Sequence, residues 1–138
     1  MSRTLVWIAA IALVAQCGCA RRDTVAGETD ETEPTLASAV STSQPALAKQ
    51  LVAGFHDMES NGWRWTEHRF SVALALPPAA RTKGARLKAG FFLSEQIIRK
   101  YRTQTLSAKV SGCALAPETY SATGDYVYSR PVDPHCFK

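Results

Sequence analysis

The sequence predicts a small, mainly β domain of sandwich or jelly-roll type, placed behind an export signal and a tether. Three observations carry this. Apolar residues alternate with a period of two in several short runs beyond Phe70. Turn residues separate the runs at spacings of roughly 15 residues, as in compact all-β domains. The first 48 residues have a composition unlike the rest.

The chain divides into residues 1–19, 20–48 and 49–138. Arg3 gives the N-terminus a positive charge, and an apolar run follows from Leu5 to Ala15. Its length suits the hydrophobic region of a signal peptide and falls short of the roughly 20 residues of a spanning helix. Cys17 and Cys19 come directly after. An apolar run that ends in cysteine resembles the lipobox of bacterial lipoproteins, in which the cysteine becomes the lipid-bearing N-terminus. Val14 and Ala15 fit that pattern for Cys17, although Gln16 stands where a small residue is usual. Gly18 fits for Cys19. Cys17 is the preferred site and Cys19 the alternative, against an uncleaved signal anchor or plain secretion. Each reading exports the remainder, though Arg21 and Arg22 oppose simple translocation. The expected placement is the bacterial cell envelope, lipid-anchored at the outer membrane or periplasmic face.

Residues 20–48 contain no aromatic side chain, and Asp23, Glu28, Asp30, Glu31 and Glu33 make their first half acidic. Such a segment buries too little apolar surface to offset its ordering entropy. It is expected to be a disordered spacer with an r.m.s. span on the order of 30 Å.

Order is expected from about residue 49. Gly62-Trp63-Arg64-Trp65-Thr66 reads as a short strand or arm. Phe70, Val72, Leu74 and Leu76 alternate as one strand, and Pro77-Pro78 ends it because proline lacks the ladder donor. The segment from Pro77 to Gly84 reads as a loop. Ala85, Leu87, Ala89, Phe91 and Leu93 form the next strand, with Arg86 and Lys88 on its other face. Ser94-Glu95 starts one short helix near 95–101. Leu106, Ala108 and Val110 give a third strand, and Ser111-Gly112 a turn. A last strand surrounds Tyr126-Val127-Tyr128.

The order Gly54-Phe55, Asn61-Gly62-Trp63-Arg64-Trp65-Thr66, Phe70-Ser71-Val72, Leu106-Ser107-Ala108, Glu118-Thr119-Tyr120 and Gly124 to Tyr128 resembles a poorly characterised β-sandwich domain of bacterial envelope lipoproteins. The resemblance spans residues 51 to 132, and Trp-Arg-Trp is its most specific part. It implies carbohydrate-binding-like accessory work without catalysis. The segment from Pro131 to Lys138 stops where that pattern expects further strands, so the domain reads as C-terminally truncated, with an open sheet edge.

The chemistry legible in the residues is sparse. Trp63 and Trp65 share a face if they lie on a strand. With Arg64 they are the candidate ligand-binding residues, stacking on sugar rings, set against ordinary burial of tryptophan. Tyr120, Tyr126 and Tyr128 add aromatic area. His56-Asp57 with Glu59 is the nearest approach to a metal or acid–base group, but no His-x-x-x-His or Cys-x-x-Cys pair supports it. There is no Gly-x-Ser-x-Gly elbow and no phosphate-binding glycine loop. No catalytic residue, metal site or cofactor is assigned. Cys113 and Cys136 are a candidate disulfide, which an oxidising compartment permits.

Net charge is +4, yet residues 49–138 hold 13 Lys+Arg against 7 Asp+Glu. Eight of those bases fall between Arg81 and Lys109. They make either a solvated face or a contact for an anionic polymer. The expected function is a non-enzymatic binding or scaffolding module, with carbohydrate as the leading ligand class. The alternative is a protein–protein module of the envelope that uses an open sheet edge. Membrane, polysaccharide and envelope protein are the expected partners, and nucleic acid is not.

Overall fold

A computed structural model describes residues 7–14 and 35–138. Ten strands and two α-helices run in the order β1 (Trp7–Val14), β2 (Ala39–Ser41), β3 (Leu51–Met58), β4 (Arg64–Val72), α1 (Ala80–Lys83), β5 (Ala85–Leu93), α2 (Glu95–Tyr101), β6 (Gln104–Leu106), β7 (Lys109–Val110), β8 (Cys113–Ala114), β9 (Glu118–Tyr120) and β10 (Gly124–Val132). Two short 3₁₀ helices span Pro45–Gln50 and Pro134–Phe137. The mainly β class is therefore the observed one. Its sheets are a six-stranded sheet ordered β10-β5-β1-β4-β3, with β2 paired to β1, and two ribbons, β6-β9 and β7-β8.

Strand β5 shows why this sequence folds as it does. Leu87, Ala89, Phe91 and Leu93 are buried, while Lys88, Gly90 and Phe92 between them are half-buried. A period of two sends one set to the core and the other to the opposite face. β10 pairs antiparallel along the whole of β5, from Gly124 opposite Leu93 to Val132 opposite Ala85. Tyr128 and Val132 join the same core, and so do Tyr120 and Phe137.

The expected helix is present as α2. The Ser94 side chain accepts a hydrogen bond from the Ile97 amide, and Ile97 is buried. The Ser111-Gly112 turn is also present. Both residues have positive φ, and Val110 pairs with Cys113 across them. That is a two-residue hairpin turn, in which φ > 0 at both positions matches the strand twist.

Five expectations need correction. A signal-peptide run such as the apolar N-terminal one is ordinarily helical, yet Trp7–Val14 is a strand, bonded to β5, β2 and β4. An uninterrupted apolar run reads equally as a buried strand, and here β5 offers it an edge. The tether was expected to reach residue 48, but residues 35–48 already carry β2 and most of a 3₁₀ helix. Val40 and Thr42 are buried there. Gln50 fixes the segment: its side-chain oxygen accepts from the Ala37 amide, and its amide donates to the Ala37 and Ala73 carbonyls. The strand expected to reach Leu76 stops at Val72, because the Ala73 and Ala75 amides turn to Gln50 and Ala37 instead of a neighbouring strand. The expected loop before Gly84 contains α1. Its Ala80 is fully buried, and Gly84, at φ 75°, closes it.

The third strand is likewise divided, into β6 and β7. The last residues fold inward onto the core. Cys136 and Phe137 are buried, and Arg81 donates to the Phe137 carbonyl.

Gly54 marks a bulge where the β3–β4 register shifts between Ala53 and Phe55. It has φ 78°, and a Cβ there would collide with the Arg69 carbonyl oxygen and with the backbone of Phe70. Gly112, at φ 89°, has nothing within 4 Å of such a Cβ. Gly54→Ala should therefore cost well over the 1–2 kcal/mol of a left-handed residue, about 3 kcal/mol or more, and Gly112→Ala only about 1–2 kcal/mol. Urea unfolding of both variants checks the order, and equal losses would contradict it.

Candidate functional site

The tryptophan corner sits where the β3–β4 turn enters β4. The Glu59 amide bonds the Trp63 carbonyl, and the Gly62 amide bonds the Glu59 carbonyl, which closes the turn. Trp63 and Trp65 do come together, with ring centroids 4.9 Å apart, but their planes stand at 87°. Both rings are half-buried. A sugar-stacking platform needs open ring faces, whereas an edge-to-face pair uses its faces in packing. Arg64 is committed as well: Nε donates to the Thr42 carbonyl at 3.3 Å and Nη1 to the His56 carbonyl at 2.9 Å. This corner ties β4 to β3 and to the residues after β2.

His56 does not gather Asp57 and Glu59 into a group. Its Nε2 lies 3.8 Å from the Glu67 carboxylate, across the β3–β4 pair, and Asp57 and Glu59 are exposed.

The tyrosines divide between core and surface. Tyr128 is fully buried and donates to the Ala116 carbonyl at 2.7 Å. Tyr120 packs edge-on to Phe91 and against Tyr126. Arg130 lies over the Tyr128 ring, bonds the Ala116 carbonyl and pairs with Glu118 at 2.7 Å. Strand β10 thereby holds the segment before β9 in place.

A cleft of about 1170 Å³ opens between β4, β5, β10 and the β6–β7 segment. Phe70, Val72, Leu87, Leu106, Val110 and Tyr128 supply apolar lining, and Arg81, Lys109 and Lys138 supply charge. The basic stretch does not form one face toward it. Arg99 pairs with Glu95 on α2, Lys100 lies over the Tyr101 ring, and Arg86 bonds Ser129.

On the side away from β10, β5 is paired by β1 over Arg86–Phe92, from Val14 opposite Arg86 to Trp7 opposite Phe92. β1 also pairs with β2 through Ala10–Ala12 and with β4 at Trp65. It lies between β5 and the β3–β4 hairpin, so their separation there is that of one interposed strand, about 10 Å.

Cys113 and Cys136 are joined in a disulfide, Cα–Cα 5.7 Å, across 23 positions of sequence. Closure of that loop limits the unfolded chain by about 3 kcal/mol on the loop-entropy model. Cys17 and Cys19, the candidate lipid sites, lie outside the described residues. Among the described residues no helix is long and apolar enough to cross a membrane. No family model, curated protein or solved structure matches the chain.

Tyr120 carries a titratable signature. Its buried hydroxyl makes no hydrogen bond of ordinary geometry among the described residues. Burial first, and the Glu118 carboxylate second, push it up to about 12. The folded state therefore holds this proton more tightly than the unfolded chain, whose tyrosine ionises near 10.0. Its contribution to stability is complete below pH 10.0 and is lost as pH rises toward about 12. Tyr120→Phe should flatten that alkaline decline. At neutral pH it should be neutral or stabilising by up to about 1 kcal/mol, since it removes an unpaired buried hydroxyl. Denaturant titrations at pH 7 and across the alkaline range check this, and a clear loss at pH 7 would contradict it.

Proposed function

We propose that this protein is an exported, lipid-anchored and non-enzymatic β module that binds another envelope protein by strand addition. The observation that supports it most is the seat of β1. The strand that fills the gap between β5 and the β3–β4 hairpin is the segment whose composition reads as a signal-peptide core. Maturation at Cys17 or Cys19 removes that strand. The β5 edge over Arg86–Phe92 then loses its partner, and β2 and β4 lose theirs. Unpaired backbone donors and acceptors along such a slot form a template for an incoming strand.

The incoming strand has defined chemistry. It runs antiparallel to β5, as β1 does, and its length is that of β1, eight residues. Main-chain hydrogen bonds give affinity, and alternate side chains give selectivity. Carbohydrate receives less support, because the tryptophans meet edge-to-face and Arg64 is spent on backbone carbonyls.

Two measurements test the reading. Intact mass and N-terminal analysis of the chain recovered from bacterial membranes should give a diacylated or triacylated cysteine as the first residue, and Cys17→Ser with Cys19→Ser should abolish it. A membrane-recovered chain that retains Trp7–Val14 contradicts the maturation step. A synthetic peptide of residues 5–16 should then raise the melting temperature of the mature protein. At a hundredfold excess over Kd the gain is about 2.7 kcal/mol, or roughly 10–20 °C for a domain of this size. A scrambled peptide of the same composition should give no shift, and equal shifts from both would remove the strand-addition reading.

A further inference from the structure

Among the described residues one group of potential metal ligands stands out: Cys113, His135 and Cys136, whose ligand atoms all lie within 4.8 Å of one another. It is built by two elements far apart in sequence. Cys113 opens β8 directly after the Ser111-Gly112 turn. His135 and Cys136 lie in the 3₁₀ helix Pro134–Phe137, which Asp133 caps by accepting from the His135 amide at 3.0 Å.

The same Asp133 oxygen lies 2.6 Å from His135 Nδ1. A carboxylate only accepts, so Nδ1 carries the proton on that side, and in the neutral ring Nε2 is the nitrogen with the lone pair. Nε2 points at both sulfurs, 3.6 Å from Cys113 Sγ and 3.7 Å from Cys136 Sγ. A tetrahedral zinc ion with metal–sulfur bonds near 2.3 Å and metal–nitrogen bonds near 2.0–2.1 Å sets its sulfur and nitrogen ligands about 3.6 Å apart. Both sulfur–nitrogen edges therefore already have the length that such a cation needs. The carboxylate behind the imidazole is the usual second partner of a metal-ligating histidine, fixing tautomer and ring orientation. Cys136 is buried, Cys113 half-buried and His135 exposed, so a fourth position faces solvent.

We propose that Cys113, His135 and Cys136 form a redox-gated site for a thiophilic d¹⁰ cation of the Zn²⁺ class, closed by the disulfide and opened by a dithiol. The dithiol gives two electrons and two protons to the disulfide and becomes a disulfide itself, leaving thiols at Cys113 and Cys136. The cation then displaces both thiol protons and binds two thiolates and Nε2, with water in the fourth position. The only rearrangement needed is that the sulfurs separate to about 3.8 Å, the sulfur–sulfur edge of a tetrahedral site. At a Cα–Cα distance of 5.7 Å side-chain rotation alone provides this.

The test uses the full chain in mild detergent, carrying Cys17→Ser and Cys19→Ser so that no other cysteine remains. Zn²⁺ uptake is titrated in competition with a chromophoric chelator, before and after reduction by a phosphine, with circular dichroism recorded throughout. The reduced chain should take up one Zn²⁺ and the oxidised chain none. Co²⁺ in place of Zn²⁺ should give thiolate charge-transfer absorption and intense tetrahedral ligand-field bands. Asp133→Asn should weaken the affinity by about 10–100-fold, the usual effect of losing such a support, and His135→Ala by at least as much. Equal uptake in both redox states overturns the proposal, as does His135→Ala binding as tightly as its parent. Loss of the sheet signal on reduction that Zn²⁺ fails to restore also overturns it.

Discussion

Everything in this structure depends on β5 being hydrogen-bonded along both edges. Its inward residues Leu87, Ala89, Phe91 and Leu93 are the middle of the core, and they are buried because β10 and β1 flank the strand. A strand paired on one side alone leaves a row of donors and acceptors to water, together with the apolar side chains beside it. β10 supplies the first partner together with Tyr128 and Val132. β1 supplies the second and links β5 to the β3–β4 hairpin. Between the two halves the core also contains the half-buried Phe70, Val72, Leu74 and Leu76. The apolar face beneath the sheet therefore persists whichever strand occupies the β1 position, and this makes exchange of that strand physically reasonable.

Much of this was legible in the residues. The period of two in Ala85–Leu93 predicts β5 and its buried set correctly, because a half-buried strand needs only alternation. Ser94-Glu95 predicts α2, because capping is local chemistry. Ser111-Gly112 predicts the hairpin turn for the same reason. The failures are equally physical. Gln50 anchors residues 35–48 through bonds to Ala37 and Ala73, 13 and 23 positions away, and no local pattern reports such contacts. The run from Leu5 to Ala15 has no alternation at all, so periodicity cannot separate a signal core from a buried strand. Only the free edge of β5 decides it.

The candidate sites divide in the same way. Spacing places Trp63 and Trp65 on one face of a strand, and their rings do meet, but spacing carries no information on interplanar angle. The angle, not the face, decides whether two rings make a platform. Cys113 and Cys136 are visible as a pair from their number alone. His135 is not, because His-x-x-x-His and Cys-x-x-Cys patterns assume ligands on one element. Here the ligand set is split between a hairpin and a C-terminal 3₁₀ turn. The available signal was Asp133-Pro134-His135-Cys136: an N-cap residue two positions before a histidine that adjoins a cysteine.

The C-terminal corner and the cleft are not independent. Phe137, next to Cys136, belongs to the core cluster, and with Lys138 it lines the cleft. Arg81, at the start of α1, bonds the Phe137 carbonyl and lines the same cleft. The disulfide also closes the loop that contains β9 and all of β10, and these strands carry Tyr120 and Tyr128. Reduction of Cys113–Cys136 removes a covalent restraint on this wall and leaves the Arg81 contact with Phe137 in place. A cation held by the same three side chains replaces the lost crosslink with a different one, of longer sulfur–sulfur span. The C-terminal corner and the wall of the cleft are thus joined through one buried phenylalanine, Phe137.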